Sequence, residues 1–436
     1  MKFVSTAGKA SADLAEALTS GLAPDGGLFV PEALPHLPPA EVDGCRTLPQ
    51  SARKTLAPFF CGSPLQDELP PICGEALDLP LPITRLAPPE GTAGEAGRAP
   101  TWLLELFHGP TAAFKDFAAR FLAVCLSRLR ADDEAIRTVL VATSGDTGGA
   151  VAAAFHRRPG FRVLVLYPDG RVSERQAHQL GAFGDNVSAY RVQGNFDDCQ
   201  RLVKRALNDR ELLDQVPMTS ANSISIGRLL PQISYYAHAA HRLHAETGER
   251  IDVIVPTGNL GNAVACIMAR EMGLPIGHVT LATNANRALP EYFAGGGFDP
   301  HEAIATLANA MDVGSPSNFE RLAWLFRDRD LRHADIDAVG IDDERIRRTI
   351  VKTYRERGLA VCPHTACGMA ALEDRRRAGH HRPTLVAATA HPAKFEQVVE
   401  SLLGRKIPPP ETLAELLERP SRAEALDADY GALRKA

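Results

Sequence analysis

Residues 251–262 read Ile-Asp-Val-Ile-Val-Pro-Thr-Gly-Asn-Leu-Gly-Asn, and a helical pattern continues over residues 263–272. The apolar, β-branched beginning of this stretch is typical of a strand that is buried on both of its faces. The loop that follows contains two glycines and leads into a helix, where backbone N–H groups can bind an anion. This stretch therefore predicts one strand–loop–helix unit of a parallel sheet.

The same order of strand, loop and helix recurs along the chain. Further strands are predicted from apolar runs at residues 138–143, 162–167, 279–283 and 384–389. The first of these runs leads into a glycine-containing loop at 144–149 and a helix over 150–156. Strands alternating with helices predict an α/β fold whose parallel sheets are covered on both faces. Ligands of such folds bind beyond the carboxyl ends of the strands, which is where these loops lie.

The beginning of the chain predicts a separate, smaller unit. It has a helical pattern over residues 10–18, a turn at 24–27 and a short strand at 28–30. Residues 79–100 include five prolines and three glycines, which predicts a linker or a long surface loop.

The end of the chain predicts a helical tail. A helical pattern covers residues 411–418, and we expect the charged residues after it to be loosely packed. The predicted division is therefore an N-terminal domain (1–85), a central region of two α/β lobes (86–404) and a C-terminal tail (405–436).

Composition excludes several classes of protein. The chain has 436 residues and a formal net charge of −5, which argues against a nucleic-acid or anionic membrane surface as its partner. No apolar run approaches the ~18 residues of a membrane span, and the first 14 residues lack the apolar core of a signal peptide. We therefore expect a cytoplasmic protein with no nucleic-acid or membrane partner.

The eight cysteines predict reduced thiols rather than disulfides or a metal site. They are scattered along a long chain, unlike the dense cysteines of small secreted domains. The one cluster is Cys362-Pro-His-Thr-Ala-Cys367, and no second pair with zinc-ligand spacing accompanies it.

Two glycine-containing loops, at residues 144–149 and 258–262, have the composition of phosphate-binding loops. Neither has the G-x-G-x-x-G spacing of a dinucleotide site, and neither is followed by the Gly-Lys-Ser/Thr of a P-loop. Each loop alone is more often a tight strand-to-helix turn. Two in one chain, both without nucleotide signatures, favour a smaller phosphorylated ligand.

Lys115 is the candidate nucleophile. It lies in the segment His-Gly-Pro-Thr-Ala-Ala-Phe-Lys-Asp-Phe at residues 108–117, among apolar neighbours. Desolvation disfavours a lysine ammonium and leaves a nucleophilic amine. An isolated lysine of this kind more often extends its ammonium to water.

Taken together, these segments resemble the threonine synthase family. The resemblance rests on the lysine segment at 108–117 and, in the same order, on Thr-Ser-Gly-Asp-Thr-Gly at 143–148, Ser-Ala-Asn-Ser-Ile at 220–224 with Arg228, the loop at 256–262 and Ala-His-Pro-Ala-Lys-Phe at 390–395. Residues 21–31 are similar to the opening domain of the bacterial and fungal branch, so the resemblance covers residues 3–400 or so. It implies the tryptophan synthase β-like fold (fold type II) and pyridoxal 5′-phosphate as cofactor.

The resemblance also implies a set of cofactor-binding residues. These are Lys115, Asp146, Gly258, Asn259, Leu260, Gly261, Asn262 and Thr389. Lys115 would form the Schiff base, the loop 258–262 would bind the cofactor phosphate, and Thr389 would bind the pyridine nitrogen. Asp146 would lie beside the phenolic oxygen, where relatives often have Asn and where an ionised carboxylate would be repulsive. Lys394 is the rival Schiff-base lysine, and Lys115 is favoured over it.

The substrate-binding residues implied by the resemblance fall into two groups. Ser144, Gly145 and Thr147 would hold the substrate carboxylate, and Asn222, Ser223 and Arg228 would bind its phosphate. Alternatively, Asn222 caps a helix beginning near Ser223, and Arg228 forms a surface ion pair. His391 is either catalytic or orients its loop. Relatives often read Ser-Thr-Arg where residues 5–7 read Ser-Thr-Ala, which removes any contact from an arginine there.

The function implied by the resemblance is conversion of O-phospho-L-homoserine and water to L-threonine and phosphate, by a monomer or homodimer. A phospho-lyase that releases phosphate and a keto acid is the nearest alternative, because only water addition separates the two outcomes. A non-catalytic metabolite-binding relative and a nucleotide-binding dehydrogenase are further alternatives, which Lys115 and the missing dinucleotide motif disfavour.

Overall fold

The computed structural model describes residues 1–87, 99–130 and 135–436. Its strands are β1 (Phe3–Ser5), β2 (Ser11–Ala12), β3 (Phe29–Pro31), β4 (Ile83–Arg85), β5 (Thr101–Glu105), β6 (Arg137–Ala142), β7 (Phe161–Pro168), β8 (Val187–Gln193), β9 (Met218–Ser220), β10 (Ile251–Pro256), β11 (Ile276–Thr283), β12 (Ile336–Gly340), β13 (Thr384–Ala388) and β14 (Glu424–Asp427).

The helices lie between these strands and after the last of them. They are α1 (Leu14–Ser20), α2 (Leu48–Phe60), α3 (Leu69–Leu77), α4 (Lys115–Leu129), α5 (Asp146–Phe155), α6 (Glu174–Gly181), α7 (Phe196–Asn208), α8 (Arg210–Gln215), α9 (Ile226–Thr247), α10 (Gly261–Glu271), α11 (Ala288–Phe293), α12 (Phe319–Leu325), α13 (Asp343–Arg357), α14 (Pro363–Arg377), α15 (Glu396–Leu403), α16 (Glu411–Glu418) and α17 (Tyr430–Lys435).

Two mainly parallel sheets form the body of the protein. The larger has the strand order β12-β11-β10-β13-β5-β4, and only the edge strand β4 runs antiparallel to its neighbour. The smaller has the order β14-β8-β7-β6-β9 and is parallel throughout. Strands β1, β2 and β3 form a separate antiparallel sheet. The predicted α/β fold with two parallel-sheet lobes and a small N-terminal unit is confirmed.

Strand register brings the predicted functional loops together. In the larger sheet, Val386 of β13 pairs with Ile254 of β10 and with Leu103 of β5, so the loops after these three strands leave the same edge. In the smaller sheet, Leu140 of β6 pairs with Ser220 of β9, so the loops that begin at residues 143 and 221 also leave one edge. The long helix α9 packs against α2, α4 and α10.

The N-terminal elements differ from the prediction at their edges. Helix α1 begins at Leu14 rather than near residue 10, because residues 11–12 pair with β1 and Asp13 caps the helix by accepting the N–H of Glu16 at 2.9 Å. The predicted linker at 79–100 contains the short strand β4, which pairs with β5. Residues 88–98 of that linker lie outside the described residues.

The C-terminal end is more ordered than expected. Helix α16 spans the predicted residues, but the charged segment after it is not loosely packed. Strand β14 pairs with β8, and Leu426, Tyr430 and Leu433 are buried. The hydroxyl of Tyr430 donates to Oδ2 of Asp209 at 2.6 Å. Among all described residues, no helix is long and apolar enough to cross a membrane.

Candidate active site

The loops from the two parallel sheets enclose a cavity with a volume of about 1200 Å³, its open mouth included. Thirteen predicted site residues line it: Lys115, Ser144, Asp146, Thr147, Asn222, Ser223, Arg228, Gly258, Asn259, Leu260, Gly261, Asn262 and Thr389. Gly145 lies next to this lining, and neither His391 nor Lys394 belongs to it. Residues far apart in sequence therefore form one concave surface.

Lys115 is the first residue of α4, and its amine is unusually easy to deprotonate. Burial lowers its pKa from 10.5 to about 8, the charge of Asp146 opposes this, and the cations Arg228 and Lys394 lower the pKa further. Nζ lies 5.2 Å from the centroid of the Phe114 ring. Within the described part of the chain, no carboxylate lies in ion-pair distance of this nitrogen. At pH 7 about a tenth of Lys115 is therefore the nucleophilic amine, far more than of an ordinary lysine.

The loop after β10 is rigidly shaped and leads into the N-terminus of α10. A Cβ atom on Gly258 would lie 2.6 Å from Cα of Met311, so only glycine fits there. Leu260 has a φ of 64°, a left-handed conformation that turns the chain into the helix. Asn262 fixes the turn by accepting the Thr257 hydroxyl at 2.7 Å and donating to the Pro256 carbonyl at 2.9 Å. The N–H groups of Gly261 and Asn262 at the start of α10 have no acceptor within the helix and suit an anion, whereas that of Ala263 donates to Oδ1 of Asn262 at 3.0 Å.

The loop after β6 is held by Thr143. Its Oγ1 accepts the N–H groups of Gly145 at 3.0 Å and Gly148 at 2.8 Å. Gly145 has a φ of 129°, and a Cβ atom there would lie 2.5 Å from Nε2 of Gln176. The backbone thus turns sharply into α5 and directs residues 144–147 toward the cavity.

Asn222 and Arg228 line the cavity, and each has a buried polar atom without a partner among the described residues. Helix α9 begins at Ile226, so the hypothesis that Asn222 caps a helix starting near Ser223 is wrong. Arg228 is 3% exposed, so the alternative of a surface ion pair is also wrong. The guanidinium donates to the Ala221 carbonyl, but its Nε and the Oδ1 of Asn222 are buried without a protein partner among the described residues. Burial lowers the pKa of Arg228 to about 10, and the residue remains cationic at neutral pH.

Asp146 is paired with Lys394, which sequence reasoning considered only as a rival nucleophile. Nζ of Lys394 lies 2.8 Å from Oδ1 of Asp146 and donates to the Thr111 carbonyl at 2.7 Å. Gln176, which the sequence did not suggest, donates to the same carboxylate oxygen at 3.0 Å. Burial alone would raise the pKa of Asp146, but the cations Lys394 and Lys115 outweigh it and hold that pKa well below its ordinary value.

The Cys362–Cys367 segment contributes a cavity residue that the sequence analysis left without a role. Sγ of Cys362 caps α14 by accepting the N–H of Thr365 at 3.4 Å. Nε2 of His364 accepts the N–H of Ala310 at 3.1 Å, while Nδ1 is buried without a partner among the described residues. Burial lowers the pKa of His364 to about 4, so its ring is neutral at physiological pH.

Two motif residues support their neighbours. Nδ1 of His391 accepts the N–H of Ala393 at 3.2 Å, which favours the loop-orienting role over the catalytic one. The carbonyl of Thr389 accepts the N–H of Phe114 at 2.8 Å and ties this residue to the lysine segment.

At the start of the chain, the hydroxyl of Ser5 donates to Asp25 at 2.6 Å and so stabilises the turn at 24–27.

Comparison with known proteins first defines a class. Residues 79–391 match the profile of the family described as pyridoxal-phosphate dependent enzyme. Residues 2–77 match the profile named threonine synthase N terminus, and residues 365–436 match the one named threonine synthase, C-terminal. Together with the fold and the cavity, these matches place the chain in the class of pyridoxal-phosphate-dependent α/β enzymes.

Individual relatives narrow this class. The threonine synthase of Escherichia coli is 39% identical over 97% of this chain and 95% of its own, and that of Serratia marcescens is 37% identical over the same shares. The crystal structure of the E. coli enzyme superposes with a TM-score of 0.90 at 38% identity, covering 100% of this chain and 99% of that one. A pyridoxal-phosphate-bound threonine synthase from Brucella melitensis superposes with a TM-score of 0.87 at 32% identity, covering 100% and 98%. The chain belongs to the threonine synthase family, which confirms the resemblance found in the sequence.

Proposed function

We propose that the chain converts O-phospho-L-homoserine and water to L-threonine and phosphate, with pyridoxal 5′-phosphate bound covalently at Lys115. The observation that carries this proposal is that a lysine amine with a lowered pKa and a buried arginine with an unused N–H face one cavity. The first suits an aldehyde cofactor, and the second suits a phosphorylated substrate.

The cofactor has a well-matched set of partners in this cavity. Lys115 would bond its aldehyde carbon, the N–H groups of residues 258–262 would bind its phosphate, and Thr389 would donate to the pyridine nitrogen. The close packing of Gly258 on Met311 and the helix N-terminus behind the loop support the phosphate assignment. The bound cofactor would withdraw electrons from the substrate carbons and so stabilise negative charge there.

The substrate would be held at both ends. Ser144, Gly145 and Thr147 would bind its carboxylate at the start of α5. Asn222, Ser223 and Arg228 would bind its phosphate, and the unpartnered Nε of Arg228 supports this role because an unused buried donor is costly without a ligand.

Lys115 would also move protons once the substrate has displaced it from the cofactor. Its pKa of about 8 allows Nζ to accept and return a proton near neutral pH. Nζ would take the proton from the α carbon, return it to the conjugated system of cofactor and substrate, and then be free to take one from the β carbon. Phosphate would leave from the γ carbon, and Nζ would return the β proton to that carbon. Water would add its hydroxyl at the β carbon while its proton goes to the departing phosphate, and the α carbon would regain a proton.

Membership of the family also bears on the partner, the location, the oligomeric state and the domain division of the chain. The partner is a small-molecule substrate, and we propose a cytoplasmic monomer or homodimer divided at residues 1–85, 86–404 and 405–436. The N-terminal threonine synthase profile, which ends at residue 77, supports the first boundary, whereas the C-terminal profile begins at residue 365, within the proposed central region.

Product analysis tests the proposed reaction. The purified holoenzyme is incubated with O-phospho-L-homoserine, and phosphate and threonine are measured together. We expect equal amounts of the two from the wild type and neither from Lys115→Ala. Phosphate accompanied by a keto acid instead of threonine would contradict the synthase and identify a phospho-lyase.

A further inference from the structure

The pair of Asp146 and Lys394 is buried within protein beside the cavity. The side chains of Asp146 and Lys394 are 3% and 1% exposed, and their charged atoms lie 2.8 Å apart. Each partner has a further hydrogen bond: Lys394 donates to the Thr111 carbonyl, and Asp146 accepts from the side chain of Gln176. Asp146 lines the cavity, whereas Lys394 lies behind it.

Stability alone does not account for this pair. Removing two charges from water costs several kcal/mol per ion, roughly, and a buried ion pair often contributes no more than apolar residues of the same volume. One end of the pair, however, faces the site where Lys115 must be a neutral amine. The charges of Asp146 and Lys394 therefore influence whether Lys115 is protonated.

The charged and titratable groups acting on Lys115 come from four elements. Asp146 begins α5, Arg228 is in α9, Lys394 is in the turn after β13, and His364 in α14 is a neutral ring. On α4 itself, the carboxylate of the adjacent Asp116 accepts two hydrogen bonds from Thr111.

Among the described residues, Asp146 is the carboxylate that favours a charged Lys115, and Lys394 offsets its effect. Asp146 stabilises the ammonium form of Lys115, whereas Lys394 and Arg228 destabilise it. Without Lys394, only Arg228 would oppose the charge of Asp146 at Lys115. Lys115 would then be held as an ammonium, which cannot attack an aldehyde carbon.

We propose that Lys394 is a positioning residue of the active site, which balances the charge of Asp146 so that Lys115 can lose its proton and act as an amine. This role rests on the assignment of Lys115 as the cofactor lysine. It also explains how an ionised Asp146 is tolerated beside the cofactor, since its charge is already paired.

Peptide-resolved labelling of Lys115 tests this role without relying on activity. The full-length chain, freed of cofactor by dialysis against cysteine, is treated with a limiting amine-acylating reagent across a pH series, and acylation of Lys115 is measured by mass spectrometry. We expect a midpoint near pH 8 for the wild type, because burial lowers the pKa of Lys115 to about 8. In Lys394→Met the midpoint should rise by about one pH unit, which lowers labelling at pH 7 by about tenfold.

Two companion variants separate charge balance from packing. Asp146→Asn combined with Lys394→Met removes both charges and should return the midpoint to near the wild-type value. Lys394→Arg keeps the cation and should leave it unchanged. Lys352→Met, which removes a surface ion pair with Glu373, is the control for losing a lysine.

The outcomes are distinct. A Lys394→Met midpoint equal to that of the wild type, or a double variant shifted as far as Lys394→Met, would overturn the proposal. Thermal unfolding of each variant identifies any that fail to fold, and the charge-preserving Lys394→Arg and the charge-free double variant then still decide between the two readings. Failure of the proposed function would be seen separately, as absence of threonine or phosphate from a wild type whose Lys115 labels as expected.

Discussion

The side-chain amide of Asn259 donates a hydrogen bond of 2.7 Å to Oγ of Ser223. Asn259 follows β10 of the larger parallel sheet, whereas Ser223 follows β9 of the smaller one, so this bond joins the two lobes across the cavity. Oδ1 of Asn259 also accepts the N–H of Ser317 at 2.6 Å. The loop proposed for the cofactor phosphate is thus tied to the segment proposed for the substrate phosphate.

Asn259→Ala should weaken the binding of both the substrate and the cofactor. Each lost hydrogen bond is worth about 1 kcal/mol, so we expect the KM for O-phospho-L-homoserine to rise by roughly fivefold and cofactor affinity to fall by a similar factor. Steady-state kinetics and cofactor titration measure the two effects. Ser223→Ala is the matched variant and should raise KM while leaving cofactor affinity unchanged. An unaltered KM and cofactor affinity in Asn259→Ala would show that the Asn259–Ser223 hydrogen bond supports neither binding site.

Arg228→Ala should discriminate between substrates with and without phosphate. Loss of a charge-assisted hydrogen bond costs about 1.5–3 kcal/mol, so kcat/KM for O-phospho-L-homoserine should fall by roughly 10- to 100-fold. The absorbance of the bound cofactor should not change. An unphosphorylated homoserine derivative should lose far less, and the exposed Arg348→Ala should lose nothing. An equal loss on both substrates would contradict the phosphate-binding role.

Gly258→Ala should damage the cofactor loop because its Cβ atom would lie 2.6 Å from a backbone atom of Met311. Overpacking of this kind costs about 1–3 kcal/mol, so we expect a lower unfolding temperature and weaker cofactor binding. Gly74→Ala is the control, since a Cβ atom on that residue of α3 has nothing within 4 Å. Equal unfolding temperatures and cofactor affinities of the two variants would show that the loop accommodates the added Cβ atom without strain.

His238 should make the protein sensitive to mild acid. Its Nδ1 lies 2.8 Å from Oγ of Ser51, and burial lowers its pKa from 6.5 to about 4. The unfolded chain takes up a proton near pH 6.5 and the folded one only near pH 4, so this contribution to the free energy of unfolding is complete above pH 6.5 and is lost as the pH falls toward 4.

Denaturant unfolding at pH 7.5 and pH 5 measures this effect. The free energy of unfolding should fall less between these values in His238→Gln than in the wild type, by at most about 1.4 kcal/mol per pH unit. The exposed His333→Gln is the control and should follow the wild type. An identical decline in all three proteins would exclude His238 as a source of acid sensitivity.

Five strands of the two lobes (β6, β7, β10, β11 and β13) were predictable because their apolar composition determines them, whereas β5, β8, β9 and β12 were not predicted. Strand β10 spans the predicted residues 251–256, and its six residues are all buried. Strand β14 was missed, since its sequence Glu-Ala-Leu-Asp has no β-branched residue and its pairing with β8 is decided by tertiary packing. The start of α1 was misplaced for the same reason, because residues 11–12 pair with β1.

The candidate site was predictable where a residue acts through a local motif. The loop after β10 and the lysine at the start of α4 lie in short segments with recognisable composition, and both line the cavity. The ion pair of Asp146 with Lys394 depends on side chains from distant parts of the chain, so no local pattern predicts it. Gln176 gives no sequence signal at all for its hydrogen bond to Asp146.

Identifying the lysine that carries the cofactor tests the central claim most directly. The yellow holoenzyme is reduced with borohydride, digested, and the pyridoxyl-bearing peptide is sequenced by mass spectrometry. The cavity assembled around Lys115 predicts a single label on Lys115 and loss of both label and colour in Lys115→Ala. A label on Lys394, which lies 2.8 Å from Asp146 in the structure, would contradict the account.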